Sequence, residues 1–168
     1  MKEQLIEIGG SESWDRDLPP IAFAFDRSGT ALTIERFPSN DCYVRAERPP
    51  QGSVEFSVYG YNSEHHNIKV LREVVEKQFD DTEYQPLRFG RTLTLEIDGV
   101  DRNALILKTG RNIQQRDWVA ALVPSPDGGP YGLLLLFGMY NNSNAIPNNP
   151  NAVITGDLKT IADSFRLT

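Results

Sequence analysis

Two histidines, a single cysteine and a spread of carboxylates are the groups in this 168-residue chain that could do chemistry. His65 and His66 are adjacent, in "NSEHHNIKV". Neighbouring side chains point about 100° apart on a helix and to opposite faces of a strand, so the pair is badly placed to grip one ion. Glu64 adds an oxygen, but no His-x-x-x-His or Glu-x-x-His spacing supports a metal site. A nucleophile triad would have to recruit one of these histidines. No Gly-x-Ser-x-Gly is present, and Cys42 falls in an expected strand with no marked electropositive setting. "GGSES" and "SPDGGPYG" read as turns, because neither opens a helix with Lys-Ser or Lys-Thr. "FDDTEY" lacks the twelve-residue ligand spacing of a calcium loop. Carboxylates are numerous enough that chance pairs across a cleft carry little meaning. No catalytic residue, metal site or cofactor is therefore expected.

Charge and composition narrow the classes further. The net charge of −6 and pI near 4.9 argue against a phosphate-backbone binder, which needs clustered Lys and Arg. Basic residues in the middle of the chain (Arg88, Arg91, Arg102, Lys108, Arg111, Arg116) interleave with Glu96, Asp98, Asp101 and Asp117, and read as two-signed strand decoration. One cysteine permits no intrachain disulfide. "YGLLLLFGMY" is about half the roughly 20 apolar residues of a membrane helix, so no membrane insertion is expected. "MKEQLIEIGG" has no apolar run of signal-peptide length after it, and a cytoplasmic location is the expectation, the alternative being a mature chain whose leader has been removed, which would read the same. Without a leader, the sequon Asn141-Asn142-Ser143 carries no meaning.

What remains is surface chemistry suited to a partner. Tyr59 and Tyr61 lie two apart at a strand end that runs into the histidines. Trp14 stands in the acidic arm, and Tyr140 opens the loop "NNSNAIPNNPN" (141–151). Aromatics beside loops are a common protein-binding combination, and long loops in compact domains are often functional. The candidate protein-binding surface is thus Tyr59, Tyr61, His65, His66, Tyr140, Asn142 and Asn144, with the loop at its rim.

The elements that must position these residues follow from periodicity. Residues 1–20 read as a partly irregular arm with a short strand at "LIEI". "IAFAFDRSGTALTIERF" alternates about a Ser28-Gly29 turn, which predicts a hairpin with Phe23 and Phe25 on one face, then Leu32 and Ile34. In "SVEFSVYGY", Val54, Phe56 and Val58 oppose Glu55, Ser57 and Tyr59. Ile68, Leu71, Val75 and Phe79 recur at helical spacing, with Asn62 or Ser63 as the expected cap. "RTLTLEIDG" turns at Asp98-Gly99 onto "VDRNALILKTG". "DWVAALVPSP" and "YGLLLLFGMY" are apolar on both faces and must be central strands. Leu158, Ile161, Ala162 and Phe165 form the stripe of a closing helix, capped by Thr155 or Asp157. The whole reads as one α/β (α+β) domain over 1–168, a mainly antiparallel sheet sandwiched by a mid-chain and a C-terminal helix.

"TLTLEIDGVDRNALILKTG", the Trp118 strand and the final helix with Ser164-Phe165-Arg166 resemble the PsbP-like family, which also embraces Mog-type Ran-binding and bacterial DcrB-type domains. The resemblance covers roughly residues 54 to 168. It implies an antiparallel sheet between helices and a non-enzymatic job as accessory subunit, chaperone or partner-binding module. It brings no functional residues with it. The expected function is a non-catalytic accessory or chaperone-like module that binds another protein or peptide. The alternative is a small-molecule binder or enzyme with a pocket between sheet and helix.

Overall fold

This computed structural model describes residues 3–9, 18–26, 33–36, 42–48 and 53–168, and among them stand ten strands and two α-helices. Trp14, the Ser28-Gly29 turn and Leu32 lie outside the described residues. The strands are β1 (Glu3–Ile8), β2 (Ile21–Asp26), β3 (Thr33–Arg36), β4 (Val44–Arg48), β5 (Val54–Asn62), β6 (Arg88–Ile97), β7 (Val100–Thr109), β8 (Arg116–Pro124), β9 (Tyr131–Tyr140) and β10 (Arg166–Leu167). Helix α1 spans Ile68–Gln78 and α2 spans Gly156–Ser164.

Seven strands form one antiparallel sheet in the order β3-β4-β5-β9-β8-β7-β6, and β1-β2-β10 form a second. The two strands apolar on both faces, β8 and β9, sit in the middle of the large sheet, paired from Arg116↔Tyr140 to Pro124↔Gly132. One of its faces carries Leu105, Leu107, Trp118, Ala120, Leu122, Leu134 and Leu136 beneath α1, which inserts Leu71, Val75 and Phe79. The opposite face carries Ile106, Val119, Leu135 and Phe137 beneath α2 and the small sheet, which together contribute Phe23, Phe25, Leu158, Ile161 and Phe165. Each buried Leu, Ile, Val or Phe among these is worth about 1.5–3 kcal/mol relative to exposure, so the two layers hold the long strands from both sides.

Three expectations need correction. β2 and β3 do not form a hairpin: β2 is flanked by β1 and β10, whereas β3 pairs with β4 in the other sheet. The α1 cap is Asn67, whose Oδ1 accepts from Val70 N at 3.0 Å, not Asn62 or Ser63, so His65 and His66 precede the helix. Cys42 lies just before β4 rather than in it. For α2, Thr155 holds the cap position without a side-chain hydrogen bond, and Asp157 sits in the first turn, 2.5 Å from Arg48 Nε. Among the described residues, no helix is long and apolar enough to cross a membrane.

Candidate functional site

Antiparallel pairing sends the expected site residues to opposite ends of the large sheet. Tyr61 closes β5 opposite Gly132 at the start of β9, while Tyr140 ends β9. The eight residue steps from Gly132 to Tyr140 separate those ends by about 26 Å at the rise of a strand. Tyr61, His65 and His66 therefore form one group, and Tyr140, Asn142 and Asn144 another, with Tyr59 between them on the α1 face.

The first group is a packed corner. Tyr61 is buried, its hydroxyl 2.7 Å from His66 Nδ1, and burial pushes its phenol pKa up. Asn103 Nδ2 donates to the His66 carbonyl at 3.0 Å. His65 is exposed. Tyr59 is half-buried and accepts from Arg45 at 3.3 Å. Beside it, Glu47 stands directly opposite Glu55 across the β4–β5 pair, and Ser57 Oγ donates to Glu55 Oε2 at 3.0 Å. Burial, then the charge and hydrogen bond of Glu55, hold the Glu47 carboxyl above the usual carboxylate range. The Cys42 thiol is pushed up to about 12, chiefly by burial, so it is a poor nucleophile. Among the described residues, no group of three or more His, Cys, Asp or Glu side chains is arranged to hold a metal.

The second group belongs to a built surface. At this end β7 turns into β8 through Gly110 and a single 3₁₀ turn, Asn112–Gln114. Gly110 has φ +82°, and a Cβ there would stand 2.6 Å from the Gln114 carbonyl oxygen, so only glycine fits. Its N–H donates to the Tyr84 carbonyl at 3.1 Å, docking the turn on residues 82–84. Ile113, at the tip, is 78% exposed.

Three buried polar side chains fasten the 141–151 loop beside this turn. Gln115 is only 3% exposed, and its Nε2 faces the Asn112 carbonyl at 3.2 Å, the Asn142 carbonyl at 3.1 Å and Asn144 Oδ1 at 3.0 Å. Its Oε1 accepts from Arg88 at 3.3 Å. Asp117, fully enclosed, accepts from Asn141 Nδ2 at 2.6 Å. Lys108 Nζ stands 2.6 Å from Asp117 Oδ1, an ion-pair contact without hydrogen-bond direction, and donates to the Asn141 carbonyl at 3.3 Å. Further along, Ile146 packs over Gly90 and Arg91 Nε donates to the Asn148 carbonyl at 2.6 Å. Pro150–Ala152 close the loop as a 3₁₀ turn. The loop is thus laid down on the sheet end. Lys108 and Asp117 are no surface decoration: both continue inward rows, Ala104–Ile106–Lys108 and Asp117–Val119–Ala121.

Tyr140 completes this end. Its ring lies 4.5 Å below the Arg116 guanidinium, which also donates to its hydroxyl at 2.5 Å. Glu83, Tyr84, Gln114, Arg116 and Tyr140 line a small cavity of about 60 Å³ there. Under α1, Leu71, Val75 and Phe79 fill the space against Trp118, with Phe79 and Trp118 ring centroids 4.9 Å apart, whereas beside α2 a cavity of about 230 Å³ is lined by Glu96, Asp98, Gly99 and residues 162–166.

No family model matches the sequence, and no curated protein matches it. Among solved structures, the solution structure of cyanobacterial PsbP (CyanoP) from Synechocystis sp. PCC 6803 superposes with a TM-score of 0.58 at 13% identity. The match covers 98% of this chain and 92% of that one, so it reaches well before residue 54. It bears on PsbP itself, not on the Mog-type or DcrB-type domains. The chain has a PsbP-like fold.

Proposed function

We propose that this protein is a non-catalytic accessory module that binds another protein or peptide through the sheet end built from the β7–β8 turn, Tyr140 and the 141–151 loop. One observation carries the reading: Gln115, a buried amide, holds both the turn carrying exposed Ile113 and the loop carrying Asn142 and Asn144. Buried polar groups used to fix exposed loops give a surface that loses little entropy when a partner orders on it. An exposed isoleucine on the turn whose Gln114 lines a cavity with Tyr140 and Arg116 adds the apolar, aromatic and guanidinium mixture typical of interface hot spots. The likeness to PsbP supports the same reading at the level of fold. His65 and His66, at the far end, lie outside the proposed surface.

The test is recovery of partners by the tagged protein from its native cells. Ile113→Ser alters an exposed side chain and should leave folding intact, while replacing residues 143–149 with a Gly-Ser linker removes the loop. Loss of the same partner with either change supports the surface; undiminished recovery with both rejects it. The proposal keeps the cytoplasmic location, which fractionation of those cells checks.

A further inference from the structure

Resting on that reading, we infer the chemistry of the partner: the sheet end receives carboxylate side chains of an acidic segment. The β7–β8 turn borders two more cavities. One, of about 320 Å³, is lined by Pro86, Arg88, Gly110, Arg111, Asn112, Gln115 and Asn144. Its lining holds two guanidinium groups and three amides, and no carboxylate. The other, about 200 Å³, shares Arg111 and includes Glu83, the one acid in either lining.

Charge balance makes this lining unusual for the chain. Acids outnumber bases by 23 to 17, yet Arg88, Arg111 and Arg116 gather around one turn, and among the described residues none is paired with a carboxylate. Arg88 is directed by Gln115 and Arg116 by Tyr140, both neutral oxygens, while Arg116 also shares its charge with Glu55 and Glu47, so Arg88 and Arg111 are the guanidinium groups left to an anion. Arg111 is exposed. A guanidinium fixed by a neutral acceptor keeps its remaining N–H groups for an incoming anion, and its planar fork matches a carboxylate bidentately. The Asn112 and Asn144 amides beside it can meet peptide N–H and C=O groups, which a dedicated phosphate cradle of successive backbone N–H groups would not supply. The net negative charge elsewhere repels acidic chains and so confines their docking to this end.

Hexaglutamate peptide titrated into the full-length protein, followed by backbone amide shifts, tests this. Shifts should centre on Gly110–Gln115 and Asn142–Asn144, weaken with added salt, and be absent with hexalysine. Arg111→Gln should weaken binding about tenfold, as expected for one charge-assisted contact, and Arg88→Gln gives the second check should the first alter the turn. Shifts that fall elsewhere, that persist in both variants, or that are reproduced by inorganic phosphate at the same concentration would overturn the acidic-segment assignment. If partner recovery from cells depends on Ile113 and the loop while hexaglutamate does not bind, the binding-module reading stands and only the carboxylate chemistry falls. If hexaglutamate binds but partner recovery ignores Ile113 and the loop, the proposed surface fails instead.

Discussion

Gln115→Leu separates a fixed loop from a free one. The substitution keeps the volume of a side chain that is almost wholly buried but removes both its Nε2 donors and its Oε1 acceptor. Asn142 and Asn144 are exposed, so water can take over their oxygens, and Arg88 is half-buried, so its guanidinium can also be rehydrated. The loss should therefore fall at the low end of the range for hydrogen bonds, about 1–2 kcal/mol. Because these bonds tie the loop to the sheet, most of the loss should appear as easier local opening rather than global unfolding. The Asn141 N–H donates to the Gln115 carbonyl and the Ser143 N–H to Asn141 Oδ1, so both amides report opening. Their hydrogen-exchange protection should drop about five- to thirtyfold, with β8 and β9 core amides little changed. Unchanged protection at Asn141 and Ser143 would show that Gln115 does not hold the loop and would undercut the preformed surface.

Other consequences follow from the same contacts. Gly90→Ala would place a Cβ 2.8 Å from Ile146 Cγ2 and should raise exchange across 144–148 at a cost of about 1–3 kcal/mol, read by urea denaturation. Lys108→Met leaves Asp117 charged in a dry site and should destabilise by about 3–5 kcal/mol, whereas Lys108→Met with Asp117→Leu should recover much of that; calorimetry of both decides. Glu47 binds its proton more tightly folded than unfolded, so its contribution is complete below the ordinary carboxylate range and is lost as pH rises through its raised folded value. Glu47→Gln should flatten the decline in urea midpoint over that window. With its thiol pushed up to about 12 and enclosed, Cys42 should react with a thiol reagent at pH 8 only after unfolding.

The layers were legible because their apolar rows repeat locally. Leu71, Val75 and Phe79 announce α1 at helical spacing, and the two-sided Leu133–Phe137 run announces a central strand. The β2–β3 relation was not legible, since alternation identifies strands but not partners. Ile21–Asp26 is claimed by β1 on one edge and by β10, more than a hundred residues away, on the other. The spatial grouping of the candidate residues was half legible. Tyr140, Asn142 and Asn144 do share an end, but Tyr61 and the histidines share the opposite one, because antiparallel β5 and β9 carry their aromatic termini apart. A signal for the buried tether existed: Lys108 and Asp117 stand in phase with inward apolar residues, where a charge demands a partner. Gln115 and the arginines around the turn gave no such sign, since their roles come from a turn that brings separate strands together.

Photocrosslinking in native cells tests the proposed surface most directly. A benzoylphenylalanine placed at Asn144 should trap one defined partner, the adduct should weaken with Arg111→Gln, and the same probe at Lys69 on the exposed side of α1 should trap nothing. An adduct formed from position 69 and none from position 144 would contradict a binding face at this end of the sheet.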